Sequence, residues 1–153
     1  MNIISINIIG CGSIVKRKRL TCLIQSCNVD ICFIQETKLE FMDDYLASSS
    51  IWGNSEVEWS VLGSKGVAEG IATLWEKNAI KLNCNFIGEG FLGLNAEWNG
   101  KDIFFINVYS PCKVPLKRKL WKELVEVKGI FDRGSWAIGG TLTLFLVGMK
   151  GRI

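Results

Sequence analysis

Residues 2–34 decide the fold: Asn2-Ile3-Ile4-Ser5-Ile6-Asn7-Ile8 begins the segment, and Ile31-Cys32-Phe33-Ile34 repeats its apolar, β-branched character. The first run predicts a buried strand, which Gly10-Cys11-Gly12 ends. Ser13 is placed to cap a following helix, in which Leu20, Leu23, Ile24 and Cys27 keep the i, i+3, i+4, i+7 spacing of one face. Asn28 closes that helix, and the second apolar run predicts another strand. Strand, helix, strand within this length is a βαβ unit, with parallel strands and a right-handed crossover.

Working outward, residues 39–50 suggest a short helix, and residues 56–109 turn to strands. The strand pattern covers 70–75, 80–87, 92–98 and 102–109, the last two joined through Asn99-Gly100, a strong hairpin signal. Pro115 suits the first turn of a helix over 115–128, with Leu116, Leu120, Leu124 and Val127 on one face. Residues 135–139 predict a final strand. The fold class is α/β, with helices covering parallel and antiparallel strands.

The composition narrows the chemistry. Of 153 residues, 48% are hydrophobic, 22% are charged and only 2 are Pro, which argues against wholesale disorder. There is no histidine, so a His general base, a Ser-His-Asp or Cys-His nucleophile and a His-ligated zinc are excluded. Six cysteines (Cys11, Cys22, Cys27, Cys32, Cys84, Cys112) contain no C-x-x-C pair and suggest free thiols in a reducing compartment. Residues 1–10 lack the basic flank and cleavage site of a signal peptide, and the apolar stretch 142–149 is too short to span a bilayer. A soluble intracellular protein, nuclear or cytoplasmic, is expected, with no membrane partner.

Ligands of parallel sheets gather beyond the carboxyl ends of the strands. Asn7 and Glu36 fall there, an amide and a carboxylate that would meet if the strands are neighbours. Such a pair suits a hard cation such as Mg²⁺, which takes oxygen ligands and keeps several waters. A turn-forming Asn7 and a solvated Glu36 fit the same pattern. Asn107 and Tyr109 share one face of a third strand end, where an amide and a phenol can meet a phosphate, or where the Tyr ring simply packs. Two basic clusters, Lys16-Arg17-Lys18-Arg19 and Lys113 with Lys117, Arg118, Lys119 and Lys122, either grip phosphates or form solvated helix faces. The net charge of +3 does not discriminate. The six Trp are expected mainly in the core.

Together, Ser5-Ile6-Asn7-Ile8-Ile9-Gly10, Gln35-Glu36-Thr37-Lys38, Gly70-Ile71-Ala72-Thr73-Leu74-Trp75, Asn107-Val108-Tyr109-Ser110-Pro111 and Trp136-Ala137-Ile138-Gly139-Gly140 carry a resemblance. In order and spacing, the chain resembles the endonuclease/exonuclease/phosphatase superfamily, most closely the endonuclease domain of plant LINE-type (non-LTR) retroelement polyproteins. The resemblance implies a four-layer α/β/β/α sandwich, partial here, and Mg²⁺-dependent hydrolysis of DNA phosphodiesters. It implies Glu36 and Asn7 as metal ligands and Tyr109 and Asn107 as phosphate-positioning residues. Lys16, Arg17, Lys18, Arg19 and Lys38 are, by their charge, the expected contacts to nucleic acid.

The chain also departs from that pattern. Ile9 replaces the usual Arg before Gly10, and Glu69 the usual Gly before Gly70. After Gly139-Gly140 the family continues with Asp-x-Asn, the water-orienting acid and a phosphate-site amide; here Thr141-Leu142-Thr143 follows. No general base is identified, and its loss alone implies a rate deficit of about 10²–10⁴. The expectation is a domain portion over 1–140 and a divergent tail over 141–153, giving a truncated and inactive remnant. A non-catalytic nucleic-acid-binding or interaction module is the alternative. The tail has a simple genetic reading. One coding that the genetic code permits for Gly140 to Leu146 is GGG ACT TTA ACT CTA TTC TTA, and from the last base of its first codon the same string encodes Asp-Phe-Asn-Ser-Ile-Leu. A frameshift beside Gly140 would thus have replaced the family motif.

Overall fold

The computed structural model describes residues 1–65 and 69–141, together with the backbone of 145–147. Most of the tail expected to diverge, including the Leu142 and Thr143 positions, lies outside the described residues. The βαβ unit forms, but its first strand, expected to be buried, lies at a sheet edge and is half-exposed, with a neighbour on one side only. Strand β1 (Ile3–Asn7) pairs in parallel with β2 (Ile31–Gln35), and helix α1 (Ile14–Ser26) crosses between them. Ser13 caps α1 by accepting from the Lys16 N–H. The buried stripe of α1 is narrower than the spacing suggests, because Leu20 and Ile24 are buried whereas Leu23 and Cys27 face solvent.

Strand β4 (Ile71–Glu76) pairs antiparallel with both β2 and β3 (Val57–Leu62), giving a first sheet of order β1-β2-β4-β3. The second sheet runs β5 (Lys81–Gly88), β6 (Phe91–Trp98), β7 (Lys101–Val108), β8 (Ser135–Gly140) and β9 (Phe145–Val147). Asn99 and Gly100 take positive φ values of 49° and 72°, as a tight hairpin between β6 and β7 requires. Helix α2 (Val114–Ile130) connects β7 to β8, which are parallel.

The helix expected over 39–50 starts later, as a π-helix over Tyr45–Trp52. Residues before it are held elsewhere: the Leu39 carbonyl accepts from Ser64 N–H at 2.7 Å, and Asp43 Oδ1 caps the Leu46 N–H at 2.8 Å. Its wide winding ends where Gly53 N–H reaches back five residues to the Ser48 carbonyl, with Gly53 in the left-handed region.

Strand alternation sorts the core into three layers of contact. Cys32 and Ile34 of β2 face α1 and the π-helix, with Leu20, Ile24, Ile51 and Trp52. Ile31 and Phe33 face the opposite sheet, meeting Leu94, Ile103 and Phe105. Phe104, Ile106 and Val108 of β7 face α2 through Leu120 and Leu124. Each such aliphatic side chain removed from water contributes about 1.5–3 kcal/mol. The result is a four-layer α/β/β/α sandwich. Trp52, Trp75 and Trp136 are core residues, as expected, while Trp121 on α2 is more open.

Candidate functional site

The carboxyl ends of β1, β2 and β7 open onto one rim, and the backbone there is tied down beyond the strands themselves. Gly10 N–H donates to the Glu36 carbonyl at 2.7 Å, Cys11 N–H to Thr37 at 2.9 Å and Lys38 N–H to Glu69 at 2.8 Å. Within this mesh Ile9, Glu36 and Lys38 all adopt positive φ, at 51°, 54° and 56°. Left-handed backbone is costly for a side-chain-bearing residue, most of all for β-branched Ile, and such strain gathers at functional sites. Here it lifts the Glu36 side chain onto the rim instead of along the strand.

Asn7 and Glu36 do converge. Asn7 Nδ2 donates to Glu36 Oε1 at 2.8 Å, and Asn7 Oδ1 accepts from the Ile9 N–H at 3.2 Å. The amide therefore turns its nitrogen toward the carboxylate and holds it in place, leaving Glu36 as the oxygen donor in this arrangement. Tyr109 lies just past the end of β7, beside the same carboxylate. Burial, and then the negative charges of Glu36 and Glu69, hold its phenol above the ordinary tyrosine range, so it stays a neutral hydrogen-bond donor.

Asn107 occupies a different level. It is fully buried, and its Nδ2 donates to the Ala72 carbonyl at 2.9 Å, Thr73 Oγ1 at 3.2 Å and the Ile34 carbonyl at 3.4 Å. Its Oδ1 accepts from Gln35 Nε2 at 2.7 Å, and Gln35 Nε2 also reaches Ser5 Oγ at 3.2 Å. Asn107 and Tyr109 share a face, as the alternation requires, but Asn107 points into the gap between the sheets. It braces the rim from below. Gln35, Ser5 and Thr73, which complete this polar belt, lie in segments that carry the resemblance but have no site role in the sequence pattern.

The first basic cluster divides. Lys16 Nζ donates to the Ile8 and Ile9 carbonyls at 3.0 and 2.7 Å, and Arg17 to the Cys11 and Gly12 carbonyls and Ser50 Oγ. These two stabilise the loop after β1. Lys18 and Arg19 are exposed, with no partner among the described residues. Lys38 stands at the rim, 4.0 Å from the Glu69 carboxylate. Lys119 of the second cluster pairs with Glu89.

No cluster of three or more His, Cys, Asp or Glu side chains suited to a metal ion occurs among the described residues. The donor set is one carboxylate braced by an amide, which fits a Mg²⁺ ion only if the ion keeps most of its waters. Thr141, at the position where the resemblance implies an acid, follows β8; its Oγ1 accepts from the Ser110 N–H at 3.2 Å.

Solved structures share this architecture. An endonuclease/exonuclease/phosphatase family protein from Bacteroides thetaiotaomicron superposes with a TM-score of 0.68 at 13% identity, covering 90% of this chain and 60% of that one. The chain has the endonuclease/exonuclease/phosphatase fold. D. rerio TDP2 in complex with a single-strand DNA product matches with a TM-score of 0.65 at 16% identity, over 90% of this chain and 58% of that one. A functionally unknown conserved protein from Enterococcus faecalis matches at 0.67 and 13% identity, over 92% of this chain and 66% of that one. The chain thus spans about three fifths of the length of proteins sharing this endonuclease/exonuclease/phosphatase fold. No family model matches the sequence, and no curated protein does. No helix among the described residues is long and apolar enough to cross a membrane.

Proposed function

We propose that this chain is the cation-side portion of a DNA endonuclease of the LINE retroelement type, one that binds Mg²⁺ and a DNA phosphate without efficient hydrolysis. The observation that carries the reading is the Asn7–Glu36 contact of 2.8 Å, at a rim shared with a neutral Tyr109. A bound Mg²⁺ would supply charge to offset the phosphoryl oxygens. Glu36 would hold it, Asn7 would fix the orientation of Glu36, and the Tyr109 hydroxyl would donate to a phosphate oxygen. Lys18, Arg19 and Lys38 would meet neighbouring phosphates, an electrostatic contribution that salt weakens.

Catalysis is the missing element. These residues include no histidine, and Thr141 offers a hydroxyl where the family pattern has a carboxylate. A water at the rim would be polarised but not deprotonated, and the expected deficit is about 10²–10⁴ in rate. The frameshift reading of the tail accounts for that substitution, and sequencing of the locus tests it: codons that forbid the second frame end the idea.

The functional test uses the purified chain, Mg²⁺ and supercoiled plasmid. Salt-sensitive DNA binding without nicking, and Mg²⁺ binding lost in Glu36→Gln, are the expected results. Nicking that Glu36→Gln abolishes would overturn the inactive reading. DNA binding that ignores both Mg²⁺ and Glu36→Gln would favour a module acting through its basic residues alone.

A further inference from the structure

Beside Tyr109, away from Asn7, a cavity of about 200 Å³ opens between the end of β3, the turn into β6 and the start of α2. Leu62, Ile71, Leu116 and Leu120 form its apolar walls, with Tyr109 and Pro111 on the side that adjoins the rim. Glycines narrow the loops around it. A Cβ on Gly63 would collide with the Glu40 carbonyl and one on Gly70 with Thr37 Oγ1, while Gly90 holds φ at 92° beside the Tyr109 carbonyl. The backbone is thus packed close behind the cavity and leaves its interior open.

The size is selective. An apolar cavity of about 150 Å³ holds a single benzene ring, so this one admits one planar ring and not a whole nucleotide. The polar lining adds acceptors. Glu69 and Glu89 line the cavity, and each has a lysine partner, Lys38 at 4.0 Å from Glu69 and Lys119 beside Glu89. Their remaining lone pairs can accept hydrogen bonds from an exocyclic amine group. Tyr109 belongs to both the rim and the cavity, so the two are side by side.

We infer that this cavity receives the nucleobase next to the bound phosphate, and that it favours a single-ring base carrying an exocyclic amine, as cytosine does. The inference builds on the proposed phosphodiester site and assigns it a base-recognition pocket. It confers a local sequence preference through shape and the carboxylate acceptors that line the cavity. Replacing Leu116, which is half-exposed at the cavity wall, with Trp fills the space without disturbing the core.

The test is titration of the full chain with deoxycytidine, a probe without phosphate, followed by methyl resonances of Leu62, Ile71 and Leu120. Shifts at these methyls, weakened about tenfold or more in Leu116→Trp and reduced in Glu69→Gln, are the expected result. No shift, or one that Leu116→Trp leaves unchanged, overturns the pocket. A base-free phosphodiester, dimethyl phosphate with Mg²⁺, probes the rim separately through the Asn7 side-chain amide. If it leaves Asn7 unmoved while deoxycytidine still binds, the rim reading fails and the base pocket stands.

Discussion

Gln35 on β2 donates through Nε2 to Oδ1 of Asn107 on β7, 2.7 Å away across the gap between the two sheets. The bond lies one level beneath the rim, and Ser5 Oγ to the Gly140 carbonyl at 3.4 Å and Asn85 Nδ2 to Ser60 Oγ at 3.1 Å also cross between the sheets. Asn107 answers with donations to Ala72, Thr73 and Ile34, so one side chain ties three strands together. Gln35 Oε1 is buried with no partner among the described residues, which makes the belt costly to disturb further.

Asn107→Leu should therefore destabilise the fold strongly. It leaves Gln35 Nε2 with Ser5 Oγ as its remaining acceptor and strips a buried donor from the Ala72 and Ile34 carbonyls and Thr73 Oγ1, and a loss of about 2–5 kcal/mol is expected in urea unfolding. Unchanged stability would show that the belt contributes nothing to joining the sheets.

Asn7→Ala should leave stability nearly unchanged, because Asn7 is exposed, yet weaken Mg²⁺ binding by about 10–100-fold through a misoriented Glu36. Isothermal titration calorimetry reads both this variant and Glu36→Gln. Equal affinity in Asn7→Ala and the parent chain would remove Asn7 from the site.

Arg17 and the pair Lys18 and Arg19 should separate cleanly. Arg17→Ala loses bonds to Cys11, Gly12 and Ser50 and should cost about 1–3 kcal/mol of stability with the salt slope of DNA binding intact. Lys18→Ala and Arg19→Ala should instead preserve stability and each reduce that slope by about 1. Fluorescence anisotropy of a labelled oligonucleotide across salt concentrations distinguishes them.

Tyr109 should ionise above the ordinary tyrosine value of 10.0, because burial and then the Glu36 and Glu69 charges oppose the phenolate. The folded state then binds more protons than the unfolded one in that alkaline window. Stability contributed by Tyr109 is complete below the unfolded value and is lost as pH rises through the folded one. In a Tyr45→Phe background, phenolate absorbance should show a raised midpoint that moves downward in Glu36→Gln. An unmoved midpoint would separate Tyr109 from Glu36.

Thr141→Asp should add a carboxylate at the end of β8, beside Val108 and Ser110, the two residues that flank Tyr109 in the chain. Mg²⁺ binding should tighten on the order of tenfold, about 1.4 kcal/mol. Calorimetry showing no gain would place residue 141 outside the reach of the ion.

The sequence by itself determined the β1-α1-β2 unit, the β6–β7 hairpin and α2, because each depends on local periodicity, a cap or a turn dipeptide. It also brought Asn7 and Glu36 to one rim, since two adjacent parallel strands ending together leave little alternative. What the tertiary structure alone decided is the depth and direction of each polar side chain. Asn107 and Tyr109 lie on one face in any strand, but only the packing of the two sheets makes one a buried brace and the other an open donor. Likewise Lys16 and Arg17 match Lys18 and Arg19 in composition, and only the fold of the loop after β1 gives the first two carbonyl partners. Periodicity records which face a residue occupies; how far along that face water reaches is set by the opposite sheet.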